Sequence, residues 1–161
     1  MINISEHEKA YIAGFLDGDG CIMFQLVRRK DYVYGYQVRA SIVFYQKEKH
    51  IDHLKWLKKK FDDIGYIRRR KDGMAEYTIV GLSQTIPIMH LLRPHVRLKK
   101  KHIDVALKIA KLLPRYQRLD DKLLLKVSSL VDIFGSLNYS KKRRNTSEQL
   151  KAFLSTAPRN D

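Results

Sequence analysis

Asp17 and Asp19 alternate with Gly18 and Gly20 at the point where an apolar, helix-patterned segment runs out. Carboxylates at a helix C-terminus sit at the negative end of the backbone dipole and are unfavourable there unless something positive joins them. A divalent cation would do this, with Asp19 as a ligand and the Gly18 carbonyl oxygen as a further donor. Mg²⁺ suits so sparse a set, because it takes few protein carboxylates and fills its remaining positions with water and phosphate. The same D-G-D-G spacing also makes an ordinary turn, and on spacing alone both readings stand.

One acidic ligand per chain is thin for phosphodiester chemistry that relies on two metals. The helix carrying it offers a remedy. Ala10, Gly14 and Gly18 recur every four residues, so they share a face on which a second helix can come very close. Interior glycines cost a helix about 1 kcal/mol each against alanine, and close packing, between chains or within one, would account for them. If two copies pair by this face, two Asp19 side chains meet at the axis. A twofold pair would also favour a near-palindromic partner.

The surrounding elements must place these groups. Ser5 and Glu8 have capping-box spacing ahead of Tyr11, Ile12, Phe15 and Leu16, which predicts a first helix ending at Gly18-Asp19-Gly20. Period-two alternation follows, with Ile22, Phe24 and Leu26 inward, then Val38, Ala40, Ile42 and Phe44 inward and Gln37, Arg39, Ser41 and Val43 outward. A longer turn over 30–35 joins the two strands. A helix from about Glu48 is predicted to run through Ile64 to a cap at Gly65, followed by a second hairpin about Asp72-Gly73. Thr85 is predicted to precede a short helix with Pro87 in its first turn. Helices then follow over 100–113, closed by Pro114, and over 119–137. Thr146 and Gln149 box a last one. The order α-β-β-α-β-β-α with further C-terminal helices predicts an α+β fold, a four-stranded antiparallel sheet backed by helices on its apolar face.

The chain has 161 residues, room for one domain with a short tail, and 32 Lys+Arg against 17 Asp+Glu give a formal net charge of +15. Basic runs occur at Arg28-Arg29-Lys30, 58–60, 68–71, 97–101 and 141–144, and nucleic acid is the partner such a balance favours. The outward sheet positions Gln25, Gln37, Arg39, Ser41, Arg68, Arg70, Glu76 and Thr78, with Arg29 at the hairpin, are types that read base edges or grip phosphates. Polar outward residues on any antiparallel sheet also simply face water. A single cysteine, Cys21, excludes an internal disulfide framework and a cysteine-built zinc site. No apolar run is long enough to span a membrane, and the N-terminus does not read as a signal peptide. The six histidines show no HxxxH spacing, and no Ser-His-Asp set is evident.

The segment Ala10-Tyr-Ile-Ala-Gly-Phe-Leu-Asp-Gly-Asp-Gly20 resembles the signature of the LAGLIDADG homing endonucleases, present once, as in their single-motif homodimeric branch. The likeness extends from about residue 8 to 155 through Tyr45-Gln46-Lys47, Tyr66-Ile-Arg-x-Arg70, Arg97-Leu-Lys-Lys-Lys101 and Val105-Ala-Leu-Lys-Ile. The resemblance implies an αββαββα LAGLIDADG core, with one endonuclease domain over 1–155 and a tail over 156–161. It implies a homodimer that straddles double-stranded DNA and hydrolyses both strands across the minor groove, leaving short 3′ overhangs. Mg²⁺ is the implied cofactor, with Mn²⁺ as a substitute. Neither a membrane nor a small-molecule substrate is implied.

By the same resemblance Asp19 and the Gly18 carbonyl are metal ligands, and Asp17 braces the paired helices. Gln46 and Lys99 surround the metal and its water; a lysine that grips phosphate is the other reading of Lys99. His50 stands where one relative has arginine. The mechanism implied has no protein nucleophile: water attacks the scissile phosphate while a cation offsets the developing charge. Members are typically encoded within introns of organellar or microbial genes, which implies an organelle or a microbial cytoplasm and no secretion. An intron-RNA maturase, a DNA-binding regulator of the same fold and a general RNA-binding protein are the competing readings.

Overall fold

A computed structural model describes residues 3–113, 119–140 and 143–156. Pro114, residues 141–142 and the end of the expected tail lie outside the described residues. The elements are α1 (Glu6–Asp19), β1 (Gly20–Arg28), β2 (Tyr36–Lys47), a 3-10 turn (Glu48–His50), α2 (Ile51–Lys60), β3 (Tyr66–Arg69), β4 (Met74–Val80), α3 (Leu82–Leu92), α4 (Lys100–Leu112), α5 (Asp121–Leu137) and α6 (Ser147–Thr156). The strands form one sheet in the order β1-β2-β4-β3, with β4 antiparallel to both its neighbours. The predicted α+β order is thus present. The chain divides into two compact units, Met1–Ile22 with Ala40–Asp104, and Met23–Arg39 with Val105–Asp161.

In the first unit, α1 starts at the predicted capping box: the Glu8 N–H donates to Ser5 Oγ at 3.3 Å, and the Glu8 carboxylate accepts from the Ser5 N–H at 3.0 Å. Its inner face buries Ile12, Ala13 and Leu16 completely. Phe15 stacks on Phe44, and Phe44 on Tyr77, which carries the core across β2 and β4. The Tyr77 hydroxyl, in the same core, donates to the Ile64 carbonyl at 2.8 Å. In the second unit, Phe24 of β1 stacks on Phe134 of α5 at 5.0 Å, and Ala106, Ile109, Val127, Val131 and Leu150 are buried.

Three local expectations are corrected. Helix α2 stops at Lys60 and does not run on to Ile64, because Asp62 and Asp63 both turn to positive φ, at 52° and 59°. Aspartate tolerates that region better than most residues. Gly65 is accordingly not the cap. It sits at φ 78°, where a Cβ would come within 2.3 Å of the Thr78 carbonyl oxygen, and it lets β3 start hard against β4. Helix α3 begins at Leu82, ahead of Thr85, with Gly81 as its cap. Thr85 is buried inside the helix and returns its hydroxyl to the Gly81 carbonyl at 2.8 Å. Pro87 lies in the helix interior; the carbonyl its missing N–H would have met belongs to Ser83, an exposed residue.

The third correction bears on function. Ser41, Glu76 and Thr78 were expected on an open outer sheet face, but they are 4%, 7% and 5% exposed. Pairing puts Tyr45, Glu76 and Arg68 in one cross-strand row, and Val43, Thr78 and Tyr66 in the next. Residues directly opposite share a face, so Glu76 is flanked by Tyr45 and by Arg68, with which it pairs, and Thr78 by Val43 and Tyr66. Val43, also expected outward, is 3% exposed.

Candidate active site

The C-terminal turn of α1 carries both aspartates, and the structure gives them different work. The Asp17 carboxylate accepts three backbone N–H groups from the segment leading into α4: Arg97 at 2.6 Å, Leu98 at 3.2 Å and Lys99 at 2.9 Å. That segment has orphan donors and the positive end of a helix dipole, which an anion satisfies. Lys99 returns the favour, its ammonium donating to the Asp17 carbonyl at 2.9 Å, in the last turn of α1. Each helix end thus receives the charge its dipole wants, from the other element. Asp17, expected as a brace between paired helices, is engaged within its own chain.

Asp19 has no such set. The Gln46 side-chain amide lies 3.5 Å from its Oδ2, a long contact. The Gln46 carbonyl oxygen accepts from the Lys47 N–H at 3.0 Å, which turns the NH₂ towards Asp19. Asp19 is exposed, and among the described residues a Cβ built at Gly14 or at Gly18 would meet nothing within 4 Å. The face made by Ala10, Gly14 and Gly18 is open, with Tyr11 beside it 54% exposed. Cys21 lies close enough to Lys99 for the ammonium to favour its thiolate, while burial, the larger effect, pushes the thiol up.

The donors at this point are hard oxygens, a carboxylate and a main-chain carbonyl, which fit Mg²⁺ chemistry. They are too few alone: among the described residues no group of three or more His, Cys, Asp or Glu could hold a metal. The residues present fit such a cation in kind but not in number.

Of the expected reading residues, Gln25, Arg29, Arg39, Arg68 and Arg70 are exposed and Gln37 is half-buried. Several come already paired. Arg68 lies 2.7 Å from the Glu76 carboxylate; Arg70 reaches Asp72 at 2.7 Å and Glu76 at 3.8 Å. Arg29 grips Asp31 with two hydrogen bonds, at 3.0 and 2.9 Å, beneath which lies the Tyr32 ring. His50 is exposed at the end of the 3-10 turn.

Sequence reading missed the Asp17 interlock, although a signal was there. Residues 97–101 read Arg-Leu-Lys-Lys-Lys, so α4 starts with none of the usual capping side chains, and its free N–H groups call for an acid from elsewhere.

A carboxylate-bearing helix end beside an open small-residue face, leading directly into an antiparallel sheet, defines a class. A family model described as LAGLIDADG endonuclease matches residues 12–113, and the chain belongs to that family. Among characterised relatives it is similar to DNA endonuclease I-CvuI of Chlorella vulgaris, 36% identical over 146 residues that cover 90% of this chain and 88% of the relative. It is also similar to DNA endonuclease I-CreI of Chlamydomonas reinhardtii, 33% identical over 147 residues that cover 89% and 86%. The fold matches that of I-CvuI crystallised with the I-CreI target in the presence of Mg, with a TM-score of 0.86 at 34% identity over 93% of this chain and 94% of the other. The fold also matches I-SmaMI, with a TM-score of 0.71 at 21% identity, where 97% of this chain covers 50% of that longer one.

Proposed function

We propose that this chain is a site-specific homing endonuclease that works as a homodimer on double-stranded DNA. The observation that carries the reading is Asp19: an exposed carboxylate at the negative end of α1, with one long amide contact, next to a helix face where glycines leave room for a second backbone. Two copies joined by that face supply the second carboxylate that one chain lacks. That this fold occupies half of a longer family fold is consistent with such a pairing.

In this reading Asp19 and the Gly18 carbonyl hold a divalent cation, Mg²⁺ with Mn²⁺ as substitute. When bound, the cation supplies positive charge at the scissile phosphate. Gln46 orients the Asp19 carboxylate. Lys99 brings an ammonium to the end of α1, held by the Asp17 carbonyl, where it offsets charge that develops on phosphate. Gln25, Gln37 and Arg39 read base edges, and Arg29, Arg68 and Arg70 add phosphate or guanine contacts. The target is near-palindromic, both strands are cut across the minor groove, and short 3′ overhangs result. The two compact units act together as one endonuclease domain. Intron coding in an organellar or microbial gene follows from the family's habit.

The test is cleavage selection from a randomised duplex library in Mg²⁺, with sedimentation of the same preparation. A near-palindromic consensus cut on both strands by a dimer is the expected result. Binding without cutting, or two-strand cutting by a monomer, would defeat the reading.

A further inference from the structure

The run over 141–144 stood among the basic runs that favour a nucleic-acid partner, yet Arg143 turns inward. Strand β1 is an edge of the sheet, so carbonyls on its open side need partners from outside the ladder. The Arg143 guanidinium donates to the Phe24 carbonyl at 2.6 Å and to the Val131 carbonyl of α5 at 2.6 Å. The Asn145 amide donates to the Leu26 carbonyl at 2.9 Å. The two pinned residues flank Gln25, whose side chain is exposed while theirs are buried.

The hairpin that follows β1 is supported from beneath by α6. Gly35 closes it, with its N–H on the Tyr32 carbonyl at 2.8 Å and its carbonyl on the Arg29 N–H at 2.8 Å. Gly35 sits at φ 67°, and a Cβ there would come within 2.9 Å of the Phe153 ring. The Arg28 guanidinium lies 5.6 Å from the centre of the same ring, and Tyr36 meets it edge-on at 5.5 Å. The start of α6 is fixed in turn, since the Ser147 N–H and hydroxyl both donate to Asp132 of α5.

We propose that Arg143, Asn145 and Phe153 are specificity-positioning residues, which touch no DNA but fix the edge strand and hairpin from which Gln25, Arg28 and Arg29 meet it. This rests on the endonuclease reading. A readout side chain discriminates bases only when its backbone is held to a fraction of an ångström, and that support comes from residues behind it. Because β1 leads away from Asp19, the positions affected are those farthest from the scissile phosphates.

The experiment repeats the library selection with Asn145→Ala, Phe153→Leu and Phe153→Tyr beside the wild type. At those far positions the preferred base should lose its advantage, normally about fivefold to a hundredfold, falling to less than about threefold, while central preferences stay unchanged. Phe153→Tyr, which adds a hydroxyl at the ring atom nearest Gly35, should weaken the far preferences as Phe153→Leu does. Should Phe153→Leu fail to fold, Asn145→Ala carries the test by itself. Unchanged preferences in the variants, or an equal loss at central and far positions, would overturn the positioning role. A wild type that selects no site at all overturns the endonuclease reading, and this inference with it.

Discussion

The end of α1 and the β3–β4 hairpin manage charge in opposite ways. At the hairpin, cations are in excess, and the protein supplies carboxylates in advance: Glu76 and Asp72 hold Arg68 and Arg70. At the end of α1, carboxylates stand where the dipole opposes them, and the protein satisfies just one. Asp17 receives three N–H groups; Asp19 receives a 3.5 Å amide. A fold that can build the first arrangement two residues away has left the second unbuilt. The carboxylates of the first kind hold elements together, and Asp19, with only the long Gln46 contact among the described residues, is the one the proposed function draws on.

The strongest challenge to this contrast is Asp19→Asn. Cleavage of the selected site should fall by at least about a hundredfold, the scale of losing a main electrostatic group at a reacting centre, while Kd measured by gel shift changes less than about twofold. Near wild-type cutting by this variant would mean that Asp19 is a turn residue after all. Asp17→Ala should act on stability first. Losing a carboxylate shared by three N–H donors costs about 2 kcal/mol, or about 4–8 °C in Tm for a chain of this size, read by calorimetry without DNA. A Tm unmoved within about 1 °C would show the interlock to be incidental.

Glu76→Gln sharpens the other side. With the counter-charge gone, Arg68 or Arg70 is free for phosphate, and the slope of log K against log salt should steepen by about one unit per added contact. An unchanged slope would show that the arginines leave Glu76 on binding in any case. The smallest effect concerns the β1–β2 hairpin, where hydrogen bonding and charge from Arg29 hold the Asp31 carboxyl below its ordinary value. A depressed carboxyl keeps its pairing above the ordinary carboxylate range and loses it as pH falls through its folded value. The contribution of the Arg29–Asp31 pair to the salt slope should therefore stay constant between pH 8 and 5 and change only below about pH 4. Asp31→Asn should remove this pair's share of the acid limb and leave that of Glu76 and Asp72.

Local chemistry was readable and long-range chemistry was not. The Ser5 and Glu8 box, the alternation through β1 and the Thr146 and Gln149 box each lie within a few residues, and each formed as expected. Asp19 and Gly18 stood out because a short motif carries them. Asp17 did not, since its partners lie eighty and more positions downstream. Ser41, Glu76 and Thr78 were misread as open because alternation tells which face a side chain takes, not how much of that face its neighbours leave exposed. Arg143 looked like any member of a basic run, and only the edge position of β1 explains its inward turn.

Gly14 has a consequence for how this chain can change over time. Among the described residues nothing lies within reach of a methyl group there, so alanine would suit the isolated helix better by about 1 kcal/mol. Selection for heat resistance in a single copy therefore favours filling that position, while any requirement for close helix pairing favours leaving it empty. Drift towards alanine at position 14 in a thermally selected library would mark lineages that have exchanged assembly for robustness.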